Sequence, residues 1–242
     1  MPLEAAELIR RLWNAARRAA AGIPGGSEAV WPGLRSDLLV AHESIYRFAA
    51  RWTAGKRVLD AACGTGYGSA LLAQAGASRV VGVDRDRRRI AFAQRRFRTP
   101  ESSFQVQDCE ALDFPEGAFD LVVSSNTLEH LARPARFLSA ARRLLVHDGV
   151  LVVAVPPIYG PADRQVHARN PHHCSNLTIR QWAELFRAEG WSPRSFAHLC
   201  AKPLDFSSHA ASTVQWGDFS FPELSGDEAN VTPTISAIYV LG

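Results

Sequence analysis

The stretch Val58-Leu-Asp60-Ala-Ala62-Cys63-Gly64-Thr-Gly66-Tyr-Gly68 runs from apolar residues through glycines toward a helix-like segment. Glycines there allow positive φ and let a ligand lie against bare backbone N–H groups at a helix N-terminus. Asp60 sits just ahead of the loop, where its charge repels a pyrophosphate and suits a ligand carrying an ammonium or a water-bridged amino acid moiety. Asp84 closes the next apolar run, Val80-Val-Gly-Val-Asp84, where a carboxylate accepts hydrogen bonds from ribose hydroxyls. Asp108 follows Phe104-Gln-Val-Gln and is placed to meet an adenine amino group. Proton transfer is the second chemistry on offer. His130, His172 and His173 follow later apolar runs, and an unperturbed imidazole pKa of about 6.5 suits a base. Taken singly, each histidine also fits a plain loop or capping role; their clustering after two strands favours function for at least one.

These groups need elements to hold them, and the hydrophobic pattern supplies a series. Leu3 to Ala21 reads as an amphipathic helix, ended by the segment Gly22 to Gly26 around Pro24, and a second helix runs from about Ser36 to Trp52. Strands are expected at Arg57–Ala61, Arg79–Val83, Phe104–Gln107, Phe119–Ser124 and Val150–Val155. Helices at Gly68–Ala75, Arg87–Phe97, Pro134–Leu145 and Ile179–Glu189 separate or follow them, and Thr234–Leu241 alternates like a last strand. That rhythm predicts βαβ units and an α/β, doubly wound, mostly parallel sheet with helices on both faces. Residues 1–52 are read as an N-terminal helical cap and 53–242 as the main domain. The segment Ala201 to Pro233, rich in Ser, Pro and aromatics, is expected to be a loop or cap covering the substrate.

Composition narrows the classes. With 47% hydrophobic and 21% charged residues among 242, the chain is a packed globular protein, which excludes a disordered chain, a collagen-like repeat and a coiled coil. Lys plus Arg number 27 against 24 Asp plus Glu, and a net charge of +3 argues against a nucleic-acid partner. The Arg-rich run Arg87–Phe97 reads as a solvated helix face. Cys63, Cys109, Cys174 and Cys200 form no CxxC pair, so a disulfide framework or structural zinc is not expected and a reducing cytoplasm fits. The longest apolar run, Gly149 to Ile158, is too short to cross a bilayer, and no membrane partner is expected.

The glycine loop, Asp84, Asp108, the segment Phe119-Asp-Leu-Val-Val-Ser-Ser125-Asn126-Thr-Leu-Glu129-His130 and Gly149-Val-Leu-Val-Val-Ala-Val-Pro156 fall in one order. Together they resemble the class I S-adenosylmethionine (SAM)-dependent methyltransferases from about Lys56 to Trp191. One departure is Ala62, where many members carry glycine. The resemblance implies a Rossmann-like, seven-stranded sheet with an antiparallel C-terminal strand, and SAM as cofactor with S-adenosylhomocysteine as product. It assigns Asp60, Ala62, Cys63, Gly64 and Gly66 to the methionine side and Asp84 to the ribose. Arg85, Asp108, Cys109 and Glu110 then border the adenine, and Ser125 lies on the cofactor side as well. Cys109 reads as a packing residue.

Two further blocks resemble bacterial methyltransferases encoded with glycan and natural-product pathways: His42-Glu-Ser-Ile-Tyr46-Arg-Phe-Ala, and Asn170-Pro-His172-His173-Cys-Ser-Asn-Leu-Thr178. Those members usually carry Arg where Ile45 stands. The likeness puts His42, Tyr46, Asn126 and Glu129 on the substrate side. Ubiquinone-pathway and small-RNA O-methyltransferases place Glu-x-x-Glu-His at the Glu129-His130 position to bind a divalent cation, with a later His completing the site in the RNA enzymes. Here Asn126 replaces the first Glu, a charge that hard cations favour is lost, and a metal-free site is expected ahead of the alternative, a divalent cation on Glu129 and His130. The expectation is O-methylation of a small hydroxylated metabolite, a sugar or natural product, with N-methylation of an amino sugar or amine as runner-up. A non-catalytic SAM-binding partner protein is the third reading. The N-terminal helix is read either as a cap over the site or as a homodimer face.

Overall fold

The computed structural model describes residues 35–206 and 211–242, so the helix expected at Leu3–Ala21 lies outside the described residues. The first described helix, α1, spans Asp37–Ala49 and continues into a 3-10 turn at Ala50–Trp52. Ser36 starts it by accepting from the Leu39 amide at 3.3 Å, with Asp37 in the first turn and Arg47 in the last complementing the helix dipole. Then follow β1 (Arg57–Ala61), α2 (Tyr67–Gln74), β2 (Arg79–Asp84), α3 (Arg87–Phe97), β3 (Ser102–Val106) and β4 (Phe119–Ser125). The second half holds α4 (Pro134–Leu144), β5 (Leu145–Val155), α5 (Pro161–His167), α6 (Ile179–Ala188) and β6 (Pro193–Ala197). Short strands β7 (Leu199–Cys200), β8 (Phe219–Ser220) and β9 (Glu223–Leu224) precede the closing strand β10 (Ala237–Leu241).

Among the described residues, eight strands form one sheet in the order β3-β2-β1-β4-β5-β10-β6-β9, while β7 and β8 pair apart from it. The pairs among β1 to β5 are parallel, and β10 runs antiparallel between β5 and β6. The eighth strand is an edge that the sequence hid. β9 is two residues long, too short to show alternation, and it is tied to β6 by the paired guanidinium of Arg194 and carboxylate of Glu223 at 2.8 and 2.7 Å. β5 also starts earlier than the apolar run suggests. Leu145 pairs with Phe119 before a register shift, and the polar His147-Asp148-Gly149 between them masks the strand.

Alternate residues of the parallel strands bury on opposite faces. Leu59, Val81, Val122, Leu151 and Val153 pack with Phe137 and Leu138 of α4 and Trp182 and Phe186 of α6. Val58, Val80, Leu121, Val123 and Val152 pack with Ile45 and Phe48 of α1 and Leu72 of α2. Because β1 sits between β2 and β4, the connections leave it in opposite directions, and a crevice opens at the carboxyl ends of the central strands.

The described part of the 201–233 segment lines none of that crevice. It packs on α1 instead: Trp216 donates to Glu43 Oε2 at 2.9 Å, Arg47 stacks 3.2 Å over its ring, and Val214 is buried beside Val40 and Ala41. Trp216, Phe219 and Phe221 of this segment are spent on this packing, whereas Phe206 stays exposed. Among the described residues, no helix is long and apolar enough to cross a membrane.

Candidate active site

A cavity of about 560 Å³ occupies the crevice, within the size range of small-molecule sites. Its floor is the turn from β1 into α2. Gly66 initiates α2 at φ +87°, and a Cβ there would stand 2.7 Å from Ala93 Cβ and 2.9 Å from Phe104, so helix, strand and turn close together only around a bare backbone. Ala62 holds φ +61° without being glycine. Asp84, 5% exposed at the end of β2, organises the turn: Oδ2 accepts from the Gly64 amide at 3.0 Å and Oδ1 from the Asp86 amide at 2.8 Å.

Of the residues expected around a cofactor, Ala62, Cys63, Gly64, Asp84, Arg85, Asp108, Cys109 and Ser125 all line the cavity. Asp108 caps the turn Cys109–Ala111 by accepting from the Glu110 amide at 2.8 Å. Cys63 and Cys109 are buried, and burial raises both thiols, Cys109 to about 12, which keeps them protonated packing groups. Three expectations come out differently. Gly66 lies under the turn rather than on the cavity surface. Glu110 turns away from it to accept from the Arg133 amide and Nε at 2.7 and 3.0 Å, and this pairing lowers its pKa.

Asp60 is the third. It is fully buried on the α1 face of β1, behind the turn, with Oδ1 accepting from Tyr46 at 3.1 Å and Oδ2 from Ser69 at 2.6 Å. Desolvation raises its pKa to about 6, opposed by those two hydrogen bonds. It does not line the cavity, and its two oxygens are held by side chains of α1 and α2. Tyr46 does reach the cavity, and its ring lies so close over Gly68 that a Cβ there would fall inside it.

The opposite wall is assembled from distant segments. α1 contributes His42, whose Nδ1 shares a 3.3 Å hydrogen bond with the Tyr67 hydroxyl. Burial lowers His42 to about 4 and raises Tyr67 well above its ordinary value, so both stay uncharged near neutrality. β4 ends in Ser125 and Asn126, the latter at φ +49° with its amide on the Ala154 carbonyl, which turns the chain into the 3-10 turn Leu128–His130. Glu129 is buried there at 3% exposure. The loop bearing His172 and His173 is clamped on this turn, since the Cys174 and Ser175 amides both donate to the Glu129 carbonyl, at 2.7 and 2.9 Å. His130 Nδ1 bonds the His172 carbonyl at 3.0 Å, and its Nε2 lies 3.9 Å from Glu129 Oε1. The His130 and His173 rings meet edge to face at 4.9 Å. His42, Tyr46, Asn126, Glu129, His130, His172 and His173 thus share one cavity.

Sequence reasoning gave no role to Tyr67, Arg89 or Leu131, which also line it. Tyr67 sits inside the glycine run and was legible only as part of the turn; its pairing with His42 depends on the approach of α1.

This cavity can hold a nucleoside with a short cationic arm. It offers the Asp84 carboxylate, the exposed Asp108 at its rim, and an open floor at Gly64, where even an added Cβ would meet no atom within 4 Å. Residues 59–153 match the family described as a methyltransferase domain. A probable SAM-dependent methyltransferase of Mycolicibacterium smegmatis is 32% identical over 171 residues, covering 70% of this chain and 65% of that protein. A demethylmenaquinone methyltransferase of Renibacterium salmoninarum is 29% identical, covering 71% of each. The chain spans 65% and 54% of the length of the first two curated relatives. Among solved structures, a chain of the complex between the Haloferax volcanii Trm112 methyltransferase activator and a putative methyltransferase superposes with TM-score 0.63. It is 22% identical and covers 83% of this chain and 89% of that one. SAM is the cofactor that this family implies.

Proposed function

We propose that this chain, which carries a class I SAM-dependent methyltransferase domain, moves a methyl group to a hydroxyl of a small metabolite such as a sugar or natural product. SAM supplies an electrophilic methyl on a sulfonium, already activated for in-line displacement. Asp84 takes the ribose hydroxyls with the oxygen lone pairs that Gly64 and Asp86 leave over. The Cys63–Gly64 backbone takes the methionine end, and Arg85, Asp108 and Cys109 border the adenine.

The facing wall aligns the acceptor and removes its proton, and alignment alone contributes up to about 7–11 kcal/mol in favourable cases. The observation that carries the hydroxyl reading is the imidazole cluster opposite the cofactor turn. With Nδ1 of His130 donating to the His172 carbonyl, Nε2 presents its lone pair, and the buried Glu129 carboxylate stabilises the imidazolium formed when Nε2 takes the proton. His172 and His173 are the further candidates for that step. An amine acceptor needs less of this machinery. The α1 side of this wall, where His42 and Tyr67 stay uncharged, offers neutral hydrogen-bonding groups to the rest of the acceptor.

The test is transfer from methyl-labelled SAM into a fractionated extract of small metabolites, read by mass spectrometry. Label on a hydroxylated compound is the expected result. Label on an amine replaces the reading by N-methylation, and no label despite measurable SAM binding leaves a binding protein.

A further inference from the structure

Tyr67 opens α2 directly after the positive-φ Gly66, so its backbone belongs to the turn from β1, yet its side chain reaches His42 of α1. We infer that Tyr67 is a positioning residue that holds the His42 imidazole as an Nε2–H donor facing the cavity, and that this donor selects a methyl acceptor presenting a lone-pair oxygen. The direction of the hydrogen bond follows from the two groups. A phenol O–H is a more acidic donor than a neutral imidazole N–H, and an imidazole nitrogen is a more basic acceptor than a phenol oxygen. The 3.3 Å contact is therefore the Tyr67 hydroxyl donating to His42 Nδ1, which puts the ring proton on Nε2. The opposite arrangement leaves the Tyr67 proton without an acceptor among the described residues. Nε2 has no partner among the described residues either, and it is not sealed in the core, so it opens on the cavity that the ring lines.

The pair is fixed from both sides. Tyr67 stands edge to face on Tyr46, ring centroids 5.8 Å apart, and the Tyr46 hydroxyl is held by Asp60 at 3.1 Å. Behind His42, α1 is tied by Ser44, whose hydroxyl donates to the Ala41 carbonyl at 2.7 Å and accepts from Nε2 of the buried His198 at 2.8 Å. The His198 ring lies against Phe219 and Phe221, with centroids 5.2 and 5.1 Å away. The fold thus sets where the imidazole points. A neutral N–H takes the lone pair of a hydroxyl, ether or carbonyl oxygen, whereas a protonated amine brings only donors and finds no acceptor at this point. The inference deepens the methyl-transfer reading and rests on it for calling the occupant of this end of the cleft the acceptor.

The experiment uses the full chain with histidine isotope-labelled at its ring nitrogens, whose NMR signals report which nitrogen carries the proton and whether the other accepts a hydrogen bond. His42→Asn assigns the signals by their disappearance. The expected result is a proton on Nε2 near neutral pH, and an Nδ1 signal that moves in Tyr67→Phe, which keeps the ring on Tyr46 and removes the hydroxyl. Methyl transfer is then followed on a dilution series of the extract fraction that the parent labels. Tyr67→Phe should raise the apparent KM for that fraction about 3- to 10-fold and keep kcat within about twofold, the size set by one neutral hydrogen bond. Retained SAM binding by calorimetry shows that the variant is folded, and a role in packing alone would not split KM from kcat. A proton on Nδ1 in the parent, or an Nδ1 signal indifferent to Tyr67→Phe, overturns the pairing whatever methyl transfer does. An unchanged KM beside the expected ring signals overturns the selection of the acceptor. The expected ring signals in a protein that transfers no methyl group support the held donor and remove the methyl-transfer reading instead.

Discussion

The wall of the cleft proposed for the cofactor draws its groups from residues 62–65, 84–86 and 108–109, each next to the end of a strand, whereas the wall proposed for the acceptor gathers 42, 67, 126–127, 129–130 and 172–173. On the first wall the polar partners are mostly backbone amides: Asp84 holds Gly64 and Asp86, and Asp108 holds Glu110. On the second they are side chains from four separate segments, tied through a loop clamped on the Glu129 carbonyl. A wall made of turns carries its geometry in local sequence and tolerates little change of backbone. A wall made of convergent side chains can be re-specified residue by residue.

Substitutions on the two walls should therefore separate binding from turnover. The largest effect belongs to the acceptor wall: His130→Ala, or His172 and His173 changed to alanine together, should lower kcat by about 10²–10⁴-fold with SAM affinity kept. Steady-state kinetics beside calorimetry reads this, and full turnover in all three positions breaks the proposed division. On the cofactor wall, Asp84→Ala leaves the Gly64 and Asp86 amides without their carboxylate and should weaken SAM binding by about 100-fold, roughly 2.7 kcal/mol, with the fold intact by circular dichroism. Unchanged affinity would remove Asp84 from the ribose.

A smaller effect comes from titratable groups in and behind the walls. His42 and His198, with folded pKa values lowered to about 4 and about 3, are neutral in the fold and charged in the unfolded chain as pH drops below 6.5. They contribute stability that is present above that pH and is lost on acidification. Asp60, raised to about 6, acts oppositely, since its protonated folded form favours the native state as pH falls toward 3.8. The two histidines outweigh the one carboxylate, so stability should fall by on the order of 1 kcal/mol per pH unit between pH 6 and 4. Asp60→Asn should steepen that fall in thermal melts, and a shallower fall would contradict the assignment. The smallest change concerns Ala62. Relieving its positive φ with glycine should raise stability by up to about 1 kcal/mol, the left-handed penalty less the added chain entropy. Denaturant titration measures it, and destabilisation would mean that the Ala62 methyl packs more than it strains.

The contrast between the walls also explains what the sequence could disclose. Residues whose roles follow from a strand end or a glycine turn, such as Asp84, Gly64 and Asp108, were legible because the turn and the chemistry share a few consecutive positions. Asp60 was misplaced for a three-dimensional reason: its strand position points it toward α1, where Tyr46 and Ser69 absorb both oxygens. Glu110 was misread because Arg133, 23 residues on, supplies a better partner. Tyr67 and the meeting of His130 with His173 depend on long-range approach, which no local pattern encodes. The parallel strands and their helices were readable from hydrophobic alternation, while β9 and the start of β5 were hidden by brevity and by polar residues at a bulge.

The phenol of Tyr46 seated over Gly68 bears on how such a protein could be rebuilt. The helix that carries this ring lies before residue 59, outside the segment matched by the family, so it looks like a detachable appendage. It is not interchangeable. A chimera spliced at residue 53, with a different leading helix, would lose the ring that covers Gly68 and the hydroxyl that holds Asp60, opening a hole under the cofactor turn. Any recombination of acceptor-selecting helices onto this domain has to carry the tyrosine across, or replace Gly68 and Asp60 in the same step.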